Sequence, residues 1–212
     1  MTLSQTQKEK FSELLYCIEI IFGEEKLGLM YSEIEEAWLI SDALRDILLF
    51  KNPQIDSCDF YLKVANEQSI YPWLSRLAEN GIDFEIIGNG TFFNQKEIFQ
   101  IIKLTFHTIG VDYPINIFTG SLEPKDFINK TIPIGISSLG LDVAEIFIHL
   151  NEKDDVEKLL DSIWKSSAYE KDEKNKKITL QKHNWMKNKE SYQMLQEYLE
   201  DAYKKLEKLG FI

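Results

Sequence analysis

A strand-like segment in the first third of the chain carries the residues best suited to metal chemistry. Apolar and polar side chains alternate over residues 58–64, so Asp59 is predicted to lie on a polar face together with Tyr61. Two carboxylates two positions apart on a strand point the same way and can share Mg²⁺ ions. The residue two positions before Asp59 is Ser57, and Asp56 lies three positions before it. The pattern therefore predicts one well-placed carboxylate with a serine beside it.

The other residue types that often perform chemistry lack a supporting pattern. His107, His149 and His183 have no metal-ligand spacing and no paired cysteines, so a zinc site is not predicted. Ser137 and Ser138 lack the flanking residues of a nucleophile elbow and are predicted to lie in a loop. These residues therefore indicate no second reaction centre.

Hydrophobic periodicity predicts an α/β arrangement around the Asp59 strand. Apolar residues at helical spacing predict helices over residues 3–22, 43–50, 71–79, 94–106, 154–169 and 189–209. Short apolar runs predict strands over residues 37–40, 58–64, 83–87, 114–118, 132–136 and 144–149. The charge run 170–177 is predicted to be a solvated loop. Because strands alternate with helices, we expect one mixed sheet flanked by helices, with a helical C-terminal portion.

The composition fits a folded protein of acidic character. The 212 residues are 44% hydrophobic, and 24 Lys and Arg against 35 Asp and Glu give a net charge of −11. This charge argues against broad nucleic-acid binding and favours positive partners or metal-masked nucleotides. Cys17 and Cys58 are predicted to be core thiols, which fits a reducing compartment. No signal-peptide pattern or membrane-spanning apolar run is visible, so we expect a cytoplasmic location.

A longer stretch around Asp59 has a recognisable order of motifs. It holds a short apolar strand, a helix with an Arg-Asp pair and two leucines, a Pro-containing loop and an Asp-bearing strand: Trp38–Ile40, Arg45-Asp46, Leu48-Leu49, Asn52-Pro53 and Asp56–Asp59. This order resembles the head domain shared by bacterial poly(A) polymerases and bacterial-type CCA-adding enzymes, within the nucleotidyltransferase superfamily. Downstream, Asp126–Pro133 stands where that family has an Asp-Phe-Thr-Ile-Asn segment. The resemblance covers about residues 34–145.

The resemblance implies a nucleotidyltransferase-like fold with a site for an NTP and Mg²⁺. It implies catalytic and metal-binding roles for Asp59 and Asp56, and cofactor-binding roles for four residues: Ser41, Arg45, Asp46 and Ser57. Asp46, Asp56 or Asp112 are candidates for the second carboxylate, and Glu85 for a third ligand. We expect three parts within one structural unit: an N-terminal helix over residues 1–30, an α/β core over 31–150 and C-terminal helices over 151–212.

Two departures from the family pattern fall within the implied site. Ser41-Asp42 replaces a Gly-Gly pair, in which glycine lets backbone N–H groups approach a triphosphate at a helix N-terminus. Ser41 can still cap the helix and donate to a phosphate, whereas Asp42 would repel one. Ser57 replaces the first carboxylate of the family's Asp-x-Asp pair, so Asp59 stands alone. The loss of one metal-binding carboxylate is expected to cripple phosphoryl transfer.

Two functions of different classes follow from these features. In the first, the protein transfers a nucleotidyl group from an NTP to a hydroxyl acceptor with Mg²⁺, slowly if at all. In the second, the fold persists with a degenerate site and acts as an acidic, immunity- or antitoxin-like module that binds a basic protein partner. The motif order favours the first function, and the −11 charge with the two departures favours the second.

Overall fold

A seven-stranded sheet organises the chain. The computed structural model describes residues 3–23, 33–89, 95–106, 113–151, 156–183, 186 and 189–212. The strands are β1 (Glu36–Ile40), β2 (Cys58–Lys63), β3 (Ile82–Asn89), β4 (Ile98–Phe106), β5 (Ile115–Gly120), β6 (Leu139–Asp142) and β7 (Trp164–Lys165). The helices are α1 (Gln5–Phe22), α2 (Asp42–Leu49), α3 (Tyr71–Glu79), α4 (Pro124–Thr131), α5 (Val143–Asn151), α6 (Val156–Asp161), α7 (Ser167–Asn175) and α8 (Lys189–Glu207).

The sheet is mixed, as predicted. Its strand order is β3-β4-β5-β2-β1-β6-β7. Strands β1 and β2 are antiparallel neighbours with Ile40 opposite Asp59, and β2 pairs with β5 in parallel with Asp59 opposite Asn116. The remaining pairs are antiparallel. The predicted adjacency of the first two strands is therefore confirmed, and Asp59 lies one strand away from the start of α2.

Helices cover both faces of the central strands. Leu39, Phe60 and Leu62 face a large core that also holds the apolar sides of α1 and α2. On the opposite face Tyr61 stacks on Phe127 of α4 with 4.1 Å between ring centroids, and its side chain is 0% exposed. The predicted polar face of β2 is therefore wrong at Tyr61, because α4 covers it. Asp59 lies on the same face of β2, two residues before Tyr61.

Local sequence signals explain the helices that were predicted. Ser4 caps α1 through a capping box with Gln7, and the apolar stripe of this helix is buried. Helix α3 spans the predicted residues, with a proline in its first turn. Helix α8 begins at the predicted residue and ends two residues early. Cys17 and Cys58 are buried free thiols, as predicted.

Two predicted elements have the opposite secondary structure. The predicted helix over residues 94–106 is wrong, because strand β4 occupies residues 98–106 and pairs with both β3 and β5. Its isoleucines, phenylalanines and Thr105 suit a pleated surface as well as a helix face. The predicted strand over residues 144–149 is also wrong, because these residues lie within α5. Asp142 starts that helix by accepting a hydrogen bond from the backbone N–H of Ala144 at 2.9 Å.

From residue 132 onward the chain is divided into more and shorter elements than predicted. The predicted strand over residues 132–136 is replaced by an isolated bridge at Ile134 and a 3₁₀ turn over Gly135–Ser137. The predicted helix over residues 154–169 is divided into α6, β7 and the start of α7. Most of the charge run 170–177 is helical rather than a loop, because it completes α7. The three-part division of the chain stays a prediction.

Within the described ranges, no helix is both long and apolar enough to cross a bilayer. The predictions that involve His107 and Asp112 fall outside the described residues.

Candidate functional site

The turn between β1 and α2 keeps a glycine-type backbone without a glycine. Ser41 has φ 65° and ψ −132°, a region that L-residues rarely adopt and glycine adopts freely. Its N–H donates to the Leu139 carbonyl at 3.1 Å and its carbonyl accepts from the Arg45 N–H at 3.1 Å, which hold this conformation. The resemblance implies glycine at this position. Ser41 therefore has a backbone conformation that would suit the glycine which the resemblance implies at this position.

Arg45 lies at the centre of a buried ion-pair network. Its Nη1 donates to Asp42 Oδ1 at 2.7 Å and to Ser137 Oγ at 2.8 Å, and its Nε donates to Asp46 Oδ1 at 2.7 Å. The Arg45 residue is 1% exposed. Burial disfavours the guanidinium charge, but Asp42 and Asp46 outweigh burial and raise the pKa of Arg45. The guanidinium is thus charged and bound on several sides by the protein itself.

Helix α8 extends this network from the C-terminal part of the chain. The Tyr198 hydroxyl donates to Asp42 Oδ1 at 2.9 Å. Lys205 donates through Nζ to Asp46 Oδ2 at 3.2 Å and forms a second ion pair with Asp56. Asp42, Asp46 and Asp56 therefore each have a protein partner of opposite charge. We call Asp42, Arg45, Asp46, Ser137, Tyr198 and Lys205 the Arg45 cluster.

Asp59 has a different environment one strand away. Its Oδ1 accepts a hydrogen bond from Asn116 Nδ2 at 2.8 Å, across the parallel β2–β5 pair. Burial raises the pKa of Asp59 to about 6, the Asn116 hydrogen bond opposes this rise and the Asp42 charge adds to it. Asp59 is thus a carboxylate whose hydrogen-bonding neighbour is a neutral amide.

The predicted site residues divide between these two environments. Ser41, Arg45 and Asp46 belong to or adjoin the Arg45 cluster, and Asp56 reaches the same cluster through Lys205. Asp59 instead pairs with Asn116. The roles implied for these residues, and for Ser57 between them, stay predictions. The contacts nevertheless give the two proposed metal ligands, Asp56 and Asp59, different partners.

Glu85 lies too far along the sheet to join Asp59. It sits opposite Lys103, Lys103 opposite Asn116, and Asn116 opposite Asp59. Three strand spacings separate the two carboxylate positions, a distance of about 14 Å. A shared metal ion therefore cannot bridge them without rearrangement of the sheet.

The residues around Asp59 do not fit the two-metal site that the fold family implies. Among the described residues no group of three or more His, Cys, Asp or Glu side chains could hold a metal ion. The strand position two before Asp59 holds Ser57, its cross-strand partner is Asn116, and Asp42 already accepts from Arg45. Mg²⁺ binding to proteins relies on one or two carboxylates with open coordination positions.

Four residues of this region carried no signal in the sequence. Asn116, Ser137, Tyr198 and Lys205 are each 57 or more positions away from the residue they contact. The strand register that places Asn116 beside Asp59 depends on β5 pairing in parallel with β2. The chemistry of these residue types gave no reason to single them out.

Comparisons with known proteins find similarities among solved structures. No family model matches the chain. No curated protein sequence matches it either. Among solved structures, a tRNA-processing enzyme in apo form I has 12% identity and a TM-score of 0.48, over 85% of this chain and 38% of that chain. A Thermotoga maritima CCA-adding enzyme complexed with tRNA has 12% identity and a TM-score of 0.48, over 81% of this chain and 32% of that chain.

A third similar structure is a CCA-adding enzyme with ATP, at 13% identity and a TM-score of 0.47, over 85% of this chain and 37% of that chain. The chain thus spans somewhat more than a third of the length of that enzyme and of the tRNA-processing enzyme, and about a third of the Thermotoga maritima one. The mixed seven-stranded sheet flanked by helices agrees with the predicted fold class. The likeness assigns no activity and no residue role to this chain.

Proposed function

We propose that this chain is a non-catalytic binding protein built on a nucleotidyltransferase-like fold. The observation that carries the proposal is the state of Arg45, which is 1% exposed and bonded to Asp42, Asp46 and Ser137. This is the residue that the family resemblance assigns to the triphosphate. In this chain its hydrogen-bonding capacity serves the folded structure.

Releasing Arg45 toward a nucleotide would be costly. Its guanidinium would have to leave two carboxylates, and breaking a buried ion pair costs about 3–5 kcal/mol. A phosphate ligand would also have to approach Asp42, whose Oδ1 lies at the first residue of α2. Like charges at that position oppose phosphate binding. Catalysis of phosphoryl transfer depends on positive charge around the transferred group, and the Arg45 cluster provides none that is uncommitted.

The Asp59 position supports the same proposal. A single carboxylate with a pKa of about 6 binds a divalent cation less well than a paired, fully ionised one. Its neighbours Ser57 and Asn116 are neutral. The charge that would anchor a second metal ion is therefore missing from this strand.

The charge of the chain indicates the kind of partner. A net charge of −11 steers positively charged proteins toward the surface and opposes nucleic acids. We therefore infer a basic protein as the physiological partner, as the second sequence-based function supposes.

Pyrophosphate release tests the proposal directly. The full chain is incubated with each of the four NTPs and Mg²⁺ or Mn²⁺, in the presence of total tRNA and of the protein itself as acceptors. We expect the wild-type chain to release pyrophosphate no faster than Asp59→Ala does. The reasons are that Arg45 is bonded to Asp42 and Asp46 and that Ser57 leaves Asp59 without a second carboxylate on its strand. Release that exceeds this background and disappears in Asp59→Ala would establish transferase activity and overturn the proposal.

One observation favours nucleotide binding as a second candidate function. Ser41 keeps the glycine-type backbone at the N-terminus of α2. A helix N-terminus with this turn suits a phosphate group. Saturable ATP binding without pyrophosphate release would support this candidate, with the fold acting as a nucleotide-responsive binding protein.

A further inference from the structure

Two tryptophans lie on the face of the sheet that α4 covers. Trp38 of β1 is 8% exposed, and Trp164 of β7 is half-buried. Gly140 of β6 pairs with Trp164, and a Cβ on this glycine would lie 2.9 Å from Trp38 Cε3. The absence of a side chain on Gly140 therefore lets the Trp38 ring lie over β6, on the side where β7 carries Trp164. We call Trp38 and Trp164 the indole pair.

The ammonium group of Lys125 lies over both rings of the indole pair. Its Nζ is 5.8 Å from the centre of the Trp38 ring and 6.0 Å from the centre of the Trp164 ring. At distances up to about 6 Å a cation is attracted to the negative face of an indole. The two rings therefore meet at a point that accepts an ammonium group.

Lys125 is not fixed in this position by burial. It is an exposed residue in the first turn of α4, whereas Trp38 beneath it is buried. Exposed side chains change rotamer on a timescale of picoseconds to nanoseconds. The Lys125 ammonium can therefore move into water, which leaves the ring faces open to another cation.

Carboxyl groups lie beside the indole pair. Asp142 is opposite Trp38 in the β1–β6 pairing, so both side chains project from the same face of the sheet. Burial raises the pKa of Asp142, the hydrogen bond from the Ala144 N–H opposes this rise, and the charges of Glu36 and Glu145 add to it. The three carboxyl groups thus repel one another, and a further positive charge near them is favourable.

Lysine 63 neutralises only part of this negative charge. It pairs with Glu36 at 3.5 Å, and also with Glu35 and Glu123. Within the described part of the chain, Asp142 and Glu145 have no Lys or Arg partner. An anionic ligand such as a nucleotide could stack on the indoles, but these carboxylates would oppose its phosphates. The surroundings therefore select a cation.

We propose that the indole pair binds a lysine side chain of a basic partner protein, which takes the place of Lys125. The position of Lys125 identifies the chemical group that the two rings accept. The nearby carboxylates favour a positively charged partner. This inference rests on the proposed function and specifies the surface through which the partner binds.

Peptide titration of the full chain tests the inference. The indole N–H signals of Trp38 and Trp164 are followed by NMR and assigned with Trp38→Phe and Trp164→Phe. The probe is a capped Gly-Lys-Gly peptide, and its control is the same peptide with an Nε-acetylated lysine, which is neutral. We expect saturable shifts of both indole signals with the lysine peptide and none with the acetylated one.

Substitutions on α4 give the matched comparison. Lys125→Met removes the competing ammonium and is expected to tighten binding of the lysine peptide about threefold. Lys130→Met changes the net charge equally at another exposed lysine of the same helix and should leave binding unchanged. Trp164→Leu should abolish the peptide-induced shift of the Trp38 signal, and Trp164→Phe, which keeps an aromatic face, should retain part of it.

Several results would overturn the inference. They are equal tightening in Lys125→Met and Lys130→Met, equal binding of the acetylated peptide, full binding in Trp164→Leu, and no saturable indole shift at high millimolar peptide. Binding of choline without binding of the lysine peptide would overturn it in favour of a small organic ammonium ligand.

These outcomes are separate from those of the proposed function. Pyrophosphate release by the wild-type chain contradicts the non-catalytic function whatever the peptides do. Failure of the lysine peptide, with no pyrophosphate release, leaves the non-catalytic function standing and removes the indole pair as its binding surface.

Discussion

The Arg45 cluster and the Asp59 position lie one strand apart but have different electrostatic environments. In the Arg45 cluster a buried cation has two carboxylates, a hydroxyl and the α8 residues around it. Asp59 has one neutral hydrogen-bond donor and a nearby like charge. Burial disfavours the charged form at both places, and the partners decide the outcome: two carboxylates raise the pKa of Arg45, whereas the pKa of Asp59 rises toward neutrality despite the hydrogen bond from Asn116.

This difference shows that residue type alone does not identify a site. Arg45 and Asp46 match the family motif in sequence, yet their side chains satisfy each other and α8. Asp59 also matches the motif, and within the described part of the chain its side chain accepts a hydrogen bond from the neutral amide of Asn116. The side chains of the first group are bonded to one another and to α8, whereas burial disfavours the charge of the Asp59 carboxylate.

Removal of the Arg45 side chain should have the largest effect. Arg45→Met leaves the half-buried Asp42 without its cation and the buried Asp46 with Lys205 alone, so we expect a loss of about 3 kcal/mol in the free energy of unfolding. The measurement is urea unfolding at pH 7. Arg76→Met is the control, because Arg76 pairs with Glu33 at 2.6 Å in a more exposed position.

The control variant should lose about 1 kcal/mol or less. Similar losses in Arg45→Met and Arg76→Met would show that the Arg45 cluster is no more structural than a surface ion pair. In that case the guanidinium would be available to a ligand, and the argument against triphosphate binding would fail.

Neutralising Asp59 should raise the free energy of unfolding, whereas Arg45→Met should lower it. Asp59→Asn keeps an oxygen that can accept from Asn116 and removes the unfavourable buried charge. One pKa unit corresponds to about 1.4 kcal/mol, and the side chain is partly exposed, so we expect stabilisation by about 2 kcal/mol at pH 8. Urea unfolding of both proteins gives the difference.

The pH dependence of that difference follows from the raised pKa. The folded state holds the Asp59 proton with a pKa of about 6 and the unfolded state with a pKa near 3.8, so folding binds a proton between these values. The wild-type chain therefore loses stability from this group as the pH rises from about 4 to about 6. The advantage of Asp59→Asn should vanish below about pH 4, and an advantage that is independent of pH would exclude Asp59 as its source.

Ser41→Gly should have the smallest of these effects. Glycine relieves the strained backbone at φ 65°, but it loses the hydrogen bond from Ser41 Oγ to Asp42 Oδ1 at 3.2 Å. We expect a net gain of about 1 kcal/mol in stability. Ser41→Ala loses the hydroxyl and keeps the strain, so it should destabilise the chain. A destabilising Ser41→Gly would mean that the hydroxyl contact outweighs the strain.

The predictable parts of the fold are those set by local sequence. The strand–helix–strand unit from β1 to β2 was predicted because apolar periodicity and the Asn52-Pro53 break act over a few residues. Strand β4 was mistaken for a helix, since its apolar residues fit either structure and pairing with β3 and β5 decides between them. Sequence spacing contains no information about that pairing.

The helical structure of most of the charge run 170–177 was not predicted for the same reason, since contacts with other segments stabilise it. Asp172 within it is buried, and its Oδ2 accepts from the Thr179 N–H at 2.9 Å. Gly135 makes room for this carboxylate, because a Cβ there would lie 2.5 Å from Asp172 Oδ2. The network around Arg45 could not be predicted either, because Ser137 and Tyr198 come from distant segments of the sequence. Motif matching singled out a candidate site whose residue roles stay predictions, and it contained no information on which of these side chains the fold would bond to one another.

Calorimetric titration with ATP, with and without Mg²⁺, tests the central claim most directly when wild type is compared with Ser57→Asp. The substitution supplies the carboxylate that the family motif has two positions before Asp59, and it leaves the Arg45 cluster intact. If Arg45 is committed to the fold, the added carboxylate should not create Mg²⁺-dependent ATP binding, and both proteins should show the same weak or undetectable heat. Mg²⁺-dependent binding that is at least about tenfold tighter in Ser57→Asp, and is lost with Asp59→Ala, would contradict the account.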